Sequence, residues 1–246
     1  MEFLVDTHCH TIASGHAYST LIEIVKESRK KRLKMIAITD HGPQMPGGPH
    51  IFHIANQRVY PEFIEGVEIL RGVEANIIDY EGNIDISERV LKKMDIVIAS
   101  LHDVCIEPGS VEENTRALLK AMENNYVDII AHPGNPSFKI NIDKVIEKAK
   151  ETDTLIEINN SSLNGSRKGS YDNCIKIAKE CKENKVKVVL GSDAHIAYDV
   201  GEFGKVVEML KKMNMPEELI INASPENLKT YLKSKGKQRY KEDTLV

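Results

Sequence analysis

Short apolar runs recur along the chain, each closing on a polar residue and followed by a stretch in which apolar positions return every three or four residues. Seven runs read as strands: Phe3-Leu4-Val5, Met35-Ile36-Ala37-Ile38, Ile69-Leu70-Arg71-Gly72-Val73, Ile96-Val97-Ile98-Ala99, Val127-Asp128-Ile129-Ile130-Ala131, Leu155-Ile156-Glu157-Ile158 and Val186-Lys187-Val188-Val189-Leu190. Between them, segments 20–33, 54–66, 110–124, 141–151 and 171–184 carry helical spacing. In the last, Cys174, Ile177, Ala178 and Cys181 share one helix face, which assigns both thiols to the core rather than to chemistry. Continuous apolar strands alternating with amphipathic helices predict an α/β fold with a parallel sheet covered by helices. Periodicity alone leaves open whether that sheet closes into a barrel.

A length of 246 residues suits one barrel or two smaller domains. No linker is visible, because the richest Gly/Pro stretch, from Gly42 to Pro49, reads as a single loop. One domain spanning 1–246 is therefore expected, with a last helix at about 224–235.

Composition narrows the partners. Lys and Arg number 33 against 37 Asp and Glu, a formal net charge of −4. The basic clusters (Lys30-Lys31-Arg32, Lys92-Lys93, and the tail from Lys233 to Lys241) are short and read as solvated helix faces. Nucleic acid is not an expected partner, since binding it calls for a basic stripe. No apolar run approaches the roughly 18 residues of a membrane span, and the start MEFLVDTH has no signal-peptide pattern. Four cysteines without a CxxC pair argue against a disulfide framework, so a cytoplasmic protein is expected.

The chemistry lies in how the runs end. The first closes on Asp6-Thr7-His8-Cys9-His10, the second on Asp40-His41, the third on Glu74. The fourth reaches His102, the fifth His132, the sixth Asn159-Asn160, and the seventh Ser192-Asp193-Ala194-His195. In a parallel α/β fold these ends share one face, so their six histidines, and His16 shortly after the first run as a seventh of the nine, converge there with two carboxylates. His8 and His10 lie two apart in an extended segment, which points both imidazoles to one side and Cys9 to the other. Asp193 and His195 repeat the spacing. Imidazole nitrogen and carboxylate oxygen suit Zn²⁺, Mn²⁺ or Fe²⁺. Nine ligands exceed the needs of one ion, so two or three ions sharing bridging carboxylates are expected.

These motifs resemble a known family. HCH at 8–10, His16 in ASGHAYST, ITDHG at 38–42, GVEAN at 72–76, His102, IIAHPGNP at 129–136, EINNSS at 157–162, SRKGS at 166–170 and GSDAH at 191–195 are similar to the PHP (polymerase and histidinol phosphatase) superfamily, and the surrounding loops to its YcdX-type phosphatase branch. The resemblance implies a distorted seven-stranded (β/α)7 TIM-like barrel with a trinuclear site, usually zinc. It implies that His8, His10, Glu74 and Asp193 hold a first ion, that Glu74 bridges to a second held by His102 and His132, and that His16, His41 and His195 hold the third. Asp103 stands where relatives carry acidic residues, as an acid or as a partner of the ligands.

The expected activity is hydrolysis of small phosphomonoesters by a metal-bound hydroxide. Arg167 is the expected phosphate clamp, with Ser161 and Ser162 nearby; Lys168 either joins it or stays on the surface. His50 and His53 belong to the Gly/Pro-rich loop, as substrate contacts or as plain surface. The alternatives are a phosphodiesterase or exonuclease-like hydrolase, an amidohydrolase, and a non-catalytic metal-binding module. Neither the substrate's identity nor the oligomeric state follows from these patterns.

Overall fold

A computed structural model of the chain describes residues 3–240. The outer ends of the expected 1–246 domain, including Lys241 of the basic tail, lie outside the described residues. The strands are β1 (Val5–Cys9), β2 (Met35–Ile38), β3 (Phe63–Ile64), β4 (Val67–Asn76), β5 (Ile96–Ser100), β6 (Ile129–Ile130), β7 (Leu155–Asn159) and β8 (Val188–Gly191). Seven of them run parallel in the order β1-β2-β4-β5-β6-β7-β8. The first and last nearly meet: Asp193 N–H donates to the His8 carbonyl at 2.9 Å, and His10 N–H donates to the Ala194 carbonyl at 2.9 Å. The result is a single α/β domain, a nearly closed TIM-like barrel of seven parallel strands.

Strand alternation divides the core in two. Ile36, Ile38, Ile69, Val97 and Ile130 face the surrounding helices, whereas Met35, Ala37, Leu70, Ile96 and Ile129 fill the barrel interior. The main helices are α1 (Leu21–Lys30), α4 (Val111–Met122), α5 (Ile142–Thr152), α7 (Ser170–Asn184), α8 (Gly204–Lys212) and α9 (Pro225–Ser234); α2 (Ile51–Ala55), α3 (Glu88–Leu91) and α6 (Asn160–Leu163) are short. Capping boxes start α1 at Thr20/Glu23 and α4 at Ser110/Glu113, satisfying otherwise orphaned N–H groups. Cys174 and Cys181 of α7 are buried in the outer core. The N-terminal mouth of the barrel is closed by α9, whose Leu228, Tyr231 and Leu232 pack on the interior cluster, and Tyr231 donates to the Asp128 and Asp153 carbonyls. That plug leaves the C-terminal strand ends as the open face. Among the described residues no helix is long and apolar enough to cross a membrane.

Two local expectations are corrected. Segment 54–66 is not one helix: α2 ends at Ala55, a 3-10 turn covers Asn56–Val59, and β3 pairs antiparallel with β4. The buried Gln57 amide bonds both the N–H and the carbonyl of Gly72, tying the segment to β4. The positive φ of Glu65 (49°) and Gly66 (82°) then makes a two-residue hairpin turn. The first strand begins at Val5 and runs through polar Asp6-Thr7-His8-Cys9. Asp6 is buried because its carboxylate accepts from Ser192 N–H and Gly201 N–H, which helps hold β1 against the chain after β8.

A candidate metal centre at the strand ends

His8 and His10 project from β1 and the residue after it, with their Nε2 atoms 3.1 Å apart, while Cys9 packs in the outer core. Glu74 Oε2 lies 3.3 Å from His8 Nε2 and 3.4 Å from His10 Nε2; Asp193 Oδ1 lies at 3.6 and 3.4 Å. Around the same carboxylate, Glu74 Oε1 is 2.9 Å from His132 Nε2 and 3.3 Å from His102 Nε2, and Oε2 is 2.8 Å from His41 Nδ1. Ligand atoms of His10, His41 and His195 form a further close group. His16 is exposed, with its ring centroid 5.0 Å from that of His41 and 4.8 Å from that of His195. All nine expected ligands are thus gathered on one face.

The proton positions can be deduced from the partners behind the rings. A carboxylate only accepts, so Glu157 Oε1 at 2.7 Å places a proton on His8 Nδ1. Ser14 Oγ gives its proton to Asp40 at 2.7 Å and therefore accepts from His10 Nδ1 at 3.1 Å. The Asn76 amide donates through Nδ2 to Gly42 and Asp85, so its Oδ1 accepts from His102 Nδ1 at 2.8 Å. The Asp193 carbonyl accepts from His195 Nδ1 at 2.9 Å. In all four rings Nδ1 is committed and Nε2 is left for the centre, an arrangement typical of metal-binding histidines.

A cation fits what remains. The Nε2 atoms of His8 and His10 stand 3.1 Å apart, and each lies 3.3–3.6 Å from Glu74 Oε2 and from Asp193 Oδ1. Bonds of about 2.0–2.1 Å to a tetrahedral ion give ligand separations of about 3.3 Å. Among the described residues His41 Nδ1, Glu74 Oε2 and His102 Nε2 are buried without a hydrogen-bond partner, although the first two lie 2.8 Å apart. Orphaned lone pairs at that distance repel unless positive charge sits between them.

Electrostatics agree. Burial works against a charged His8, but Glu157, Glu74 and Asp193 outweigh it and hold the ring well above its ordinary pKa. In the absence of metal, a proton answers the same demand for a cation. Burial, aided by neighbouring His41, pushes His10 down to about 3; burial, aided by Arg167, pushes His132 down to about 4. Burial opposes ionisation of Glu74 and Asp193, yet His8 with His41 in the first case, and His8 with Arg167 in the second, hold both well below the usual carboxylate range.

Beside the cluster opens a cleft of about 540 Å³ whose lining includes Asp103, Ser161, Arg167, Lys168, Asp193 and His195. Arg167 is largely buried; its Nη1 donates to Asp193 Oδ2 at 2.9 Å and to Ser162 Oγ at 3.1 Å. Asp103 and Lys168 are exposed on the cleft wall. The two remaining histidines stand apart: His50 Nδ1 caps α2, and His53 Nε2 bonds Asp40.

Sequence reasoning passed over the residues behind the ligands: Glu157, Asp40, Ser14, Asn76 and Asp85. Glu157 did carry a signal, as a charge inside an apolar run. Arg71, Asp128 and Lys187 interrupt other runs in the same way, so the signal did not single it out.

Known proteins resemble this chain. The PHP domain family model matches residues 6–164. A probable phosphatase of Caldanaerobacter subterraneus is 58% identical over 239 residues, covering 97% of this chain and 94% of the relative. A probable phosphatase of Clostridium botulinum is 56% identical over 237 residues, covering 96% and 97%. Among solved structures, the histidinol phosphate phosphatase of Lactococcus lactis, complexed with zinc, L-histidinol and phosphate, superposes with a TM-score of 0.61 at 16% identity, over 87% of this chain and 95% of that one. On the family match, the near-full-length relatives and the shared barrel, the chain belongs to the PHP domain family.

Proposed function

We propose that the chain is a metal-dependent phosphatase of small phosphomonoesters, working in the cytoplasm as a single catalytic domain over 1–246. The observation that carries the reading is the Arg167–Asp193 contact, which sets a guanidinium directly against a carboxylate of the donor cluster. Relatives more than half identical over nearly their whole length are named as probable phosphatases, which supports the same class.

In this reading three divalent ions are held: one by His8, His10, Glu74 and Asp193, one by Glu74, His102 and His132, one by His16, His41 and His195. Zinc is the first ion to test, given the zinc in the Lactococcus lactis neighbour, and the same donors accept Mn²⁺ or Fe²⁺. Such ions neutralise phosphoryl charge and acidify water at neutral pH. The protein's own residues do the rest. Nη1 of Arg167 is engaged by Asp193 and Ser162, which leaves Nε and Nη2 to hold the phosphoryl oxygens. Neutral His10 and His132 and ionised Glu74 and Asp193 keep their lone pairs toward the centre at working pH. Asp103, exposed on the cleft wall, would in this reading serve the departing alcohol as its acid.

The test is phosphate release from p-nitrophenyl phosphate by zinc-loaded protein, beside a bis-ester, an amide and a labelled oligonucleotide, with metal measured by elemental analysis. Turnover of the monoester, with His10→Ala inactive, is the expected result. Metal-replete protein that turns over none of them returns the chain to the non-catalytic class.

A further inference from the structure

We propose that Glu157 is a positioning residue that presets ligands for two different cations through one buried carboxylate, an inference that rests on the metal-dependent reading above. The side chain sits mid-strand in β7, beneath the cluster, and is almost wholly buried. Its two oxygens divide the work. Oε1 accepts from His8 Nδ1 at 2.7 Å. Oε2 accepts from the backbone N–H of His132 at 2.9 Å and from Asn159 Nδ2 at 3.1 Å.

Each contact controls something different. The first fixes where the His8 proton sits, and so aims Nε2 at the centre. The second holds the backbone of a strained residue, for His132 has φ of 34°, a conformation a β-carbon disfavours. His8 and His132 face opposite oxygens of Glu74, the carboxylate that joins the two parts of the cluster. The neighbouring strand leaves room for the carboxylate: a β-carbon at Gly191 of β8 falls 1.9 Å from Glu157 Oε1.

The chemistry requires an acid here. All three groups around the carboxylate donate, and a carboxylate is the side chain that accepts at both ends. Glutamine keeps the shape but offers one acceptor and one donor. The His132 N–H and the Asn159 amino group have fixed protons, whereas the imidazole can move its own. Glu157→Gln therefore turns its NH₂ toward His8, shifts the His8 proton from Nδ1 to Nε2, and aims that proton at the cation position.

The experiment compares wild-type protein and Glu157→Gln, each loaded with zinc, by elemental analysis, by circular dichroism and by ¹⁵N-edited NMR of the histidine side chains. Wild type is expected to show an exchange-protected His8 Nδ1–H resonance, assigned by its loss in His8→Gln. Glu157→Gln is expected to lose that resonance and to bind zinc about 10- to 100-fold more weakly, with its secondary structure unchanged. Should Glu157→Gln fail to fold, the wild-type spectrum still decides, since absence of the protected Nδ1–H overturns the assignment. Equal zinc uptake with the resonance retained in Glu157→Gln overturns this inference alone. Wild-type protein that takes up neither zinc, manganese nor iron overturns the proposed function and this inference together.

Discussion

Arg167 donates through Nη1 to Asp193 Oδ2 at 2.9 Å, while Asp193 Oδ1 faces His10 Nε2 at 3.4 Å. One carboxylate therefore joins the Arg167 loop to the donor cluster. Arg167→Ala is expected to raise KM for phosphate esters about 10-fold or more, from the loss of a charge-assisted contact worth about 1.5–3 kcal/mol. Zinc content is expected to stay at the wild-type level, because Asn159 Nδ2 still supports Asp193 Oδ2. Steady-state kinetics with elemental analysis on the same sample check both halves, and unaltered KM would return Arg167 to an ordinary surface loop.

Ser14 links two buried groups, accepting from His10 Nδ1 and donating to Asp40. Its Oγ also receives the N–H of His41. Ser14→Ala removes all three bonds and frees the His10 proton to move. We expect zinc affinity to fall about 10-fold, within the range for partners behind metal ligands. Competition against a chromophoric chelator measures it; wild-type affinity would mean the ring is held by packing alone.

Acid should unfold the metal-free protein through the same histidines. His132 sits at about 4 and His10 at about 3 in the folded chain, against an ordinary 6.5. Below 6.5 the unfolded chain binds protons that the folded one refuses, so stability falls as pH drops through that window. Glu74 and Asp193, depressed when folded, add to the loss once pH passes below their ordinary values. His8 acts on the other limb: raised when folded, it contributes fully below 6.5 and loses that contribution as pH rises above it. Urea midpoints taken in the presence of a chelator should therefore peak near pH 6.5, with a shallower acid limb in His132→Asn. A midpoint that keeps rising through neutral pH would contradict the assignment for His8.

Gly191→Ala tests the space rather than the charge. The added β-carbon meets Glu157 Oε1 at 1.9 Å and His8 Cβ at 2.9 Å, so one of them must move. We expect destabilisation of about 1–3 kcal/mol, typical of overpacking, together with weakened zinc binding. Denaturant titration of the metal-free protein separates the first effect from the second.

Much of the site was legible because its residues lie at repeated places. Candidate ligands such as His41, Glu74, His102 and His132 follow apolar runs, and in a parallel barrel run ends become neighbours whatever the loops do between them. The HCH spacing carried its own geometry, since alternate residues of an extended segment share a side. Segment 54–66 misled because its apolar spacing is compatible with a helix, while the Gln57–Gly72 bonds and the Glu65-Gly66 turn depend on contacts that only the folded chain makes.

The sequence by itself determined the alternation of strands and helices, the histidine-rich face and the likeness to PHP proteins, because strand periodicity and residue type are local properties. Which nitrogen of each ring carries its proton, that Asp193 answers to Arg167, and that Glu157 serves both His8 and His132 were decided by tertiary structure. Those facts depend on which donor meets which acceptor across 26 residues for Arg167 and Asp193, or across 149 for His8 and Glu157. A hydrogen bond is set by the final positions of two atoms, and no spacing along the chain encodes that.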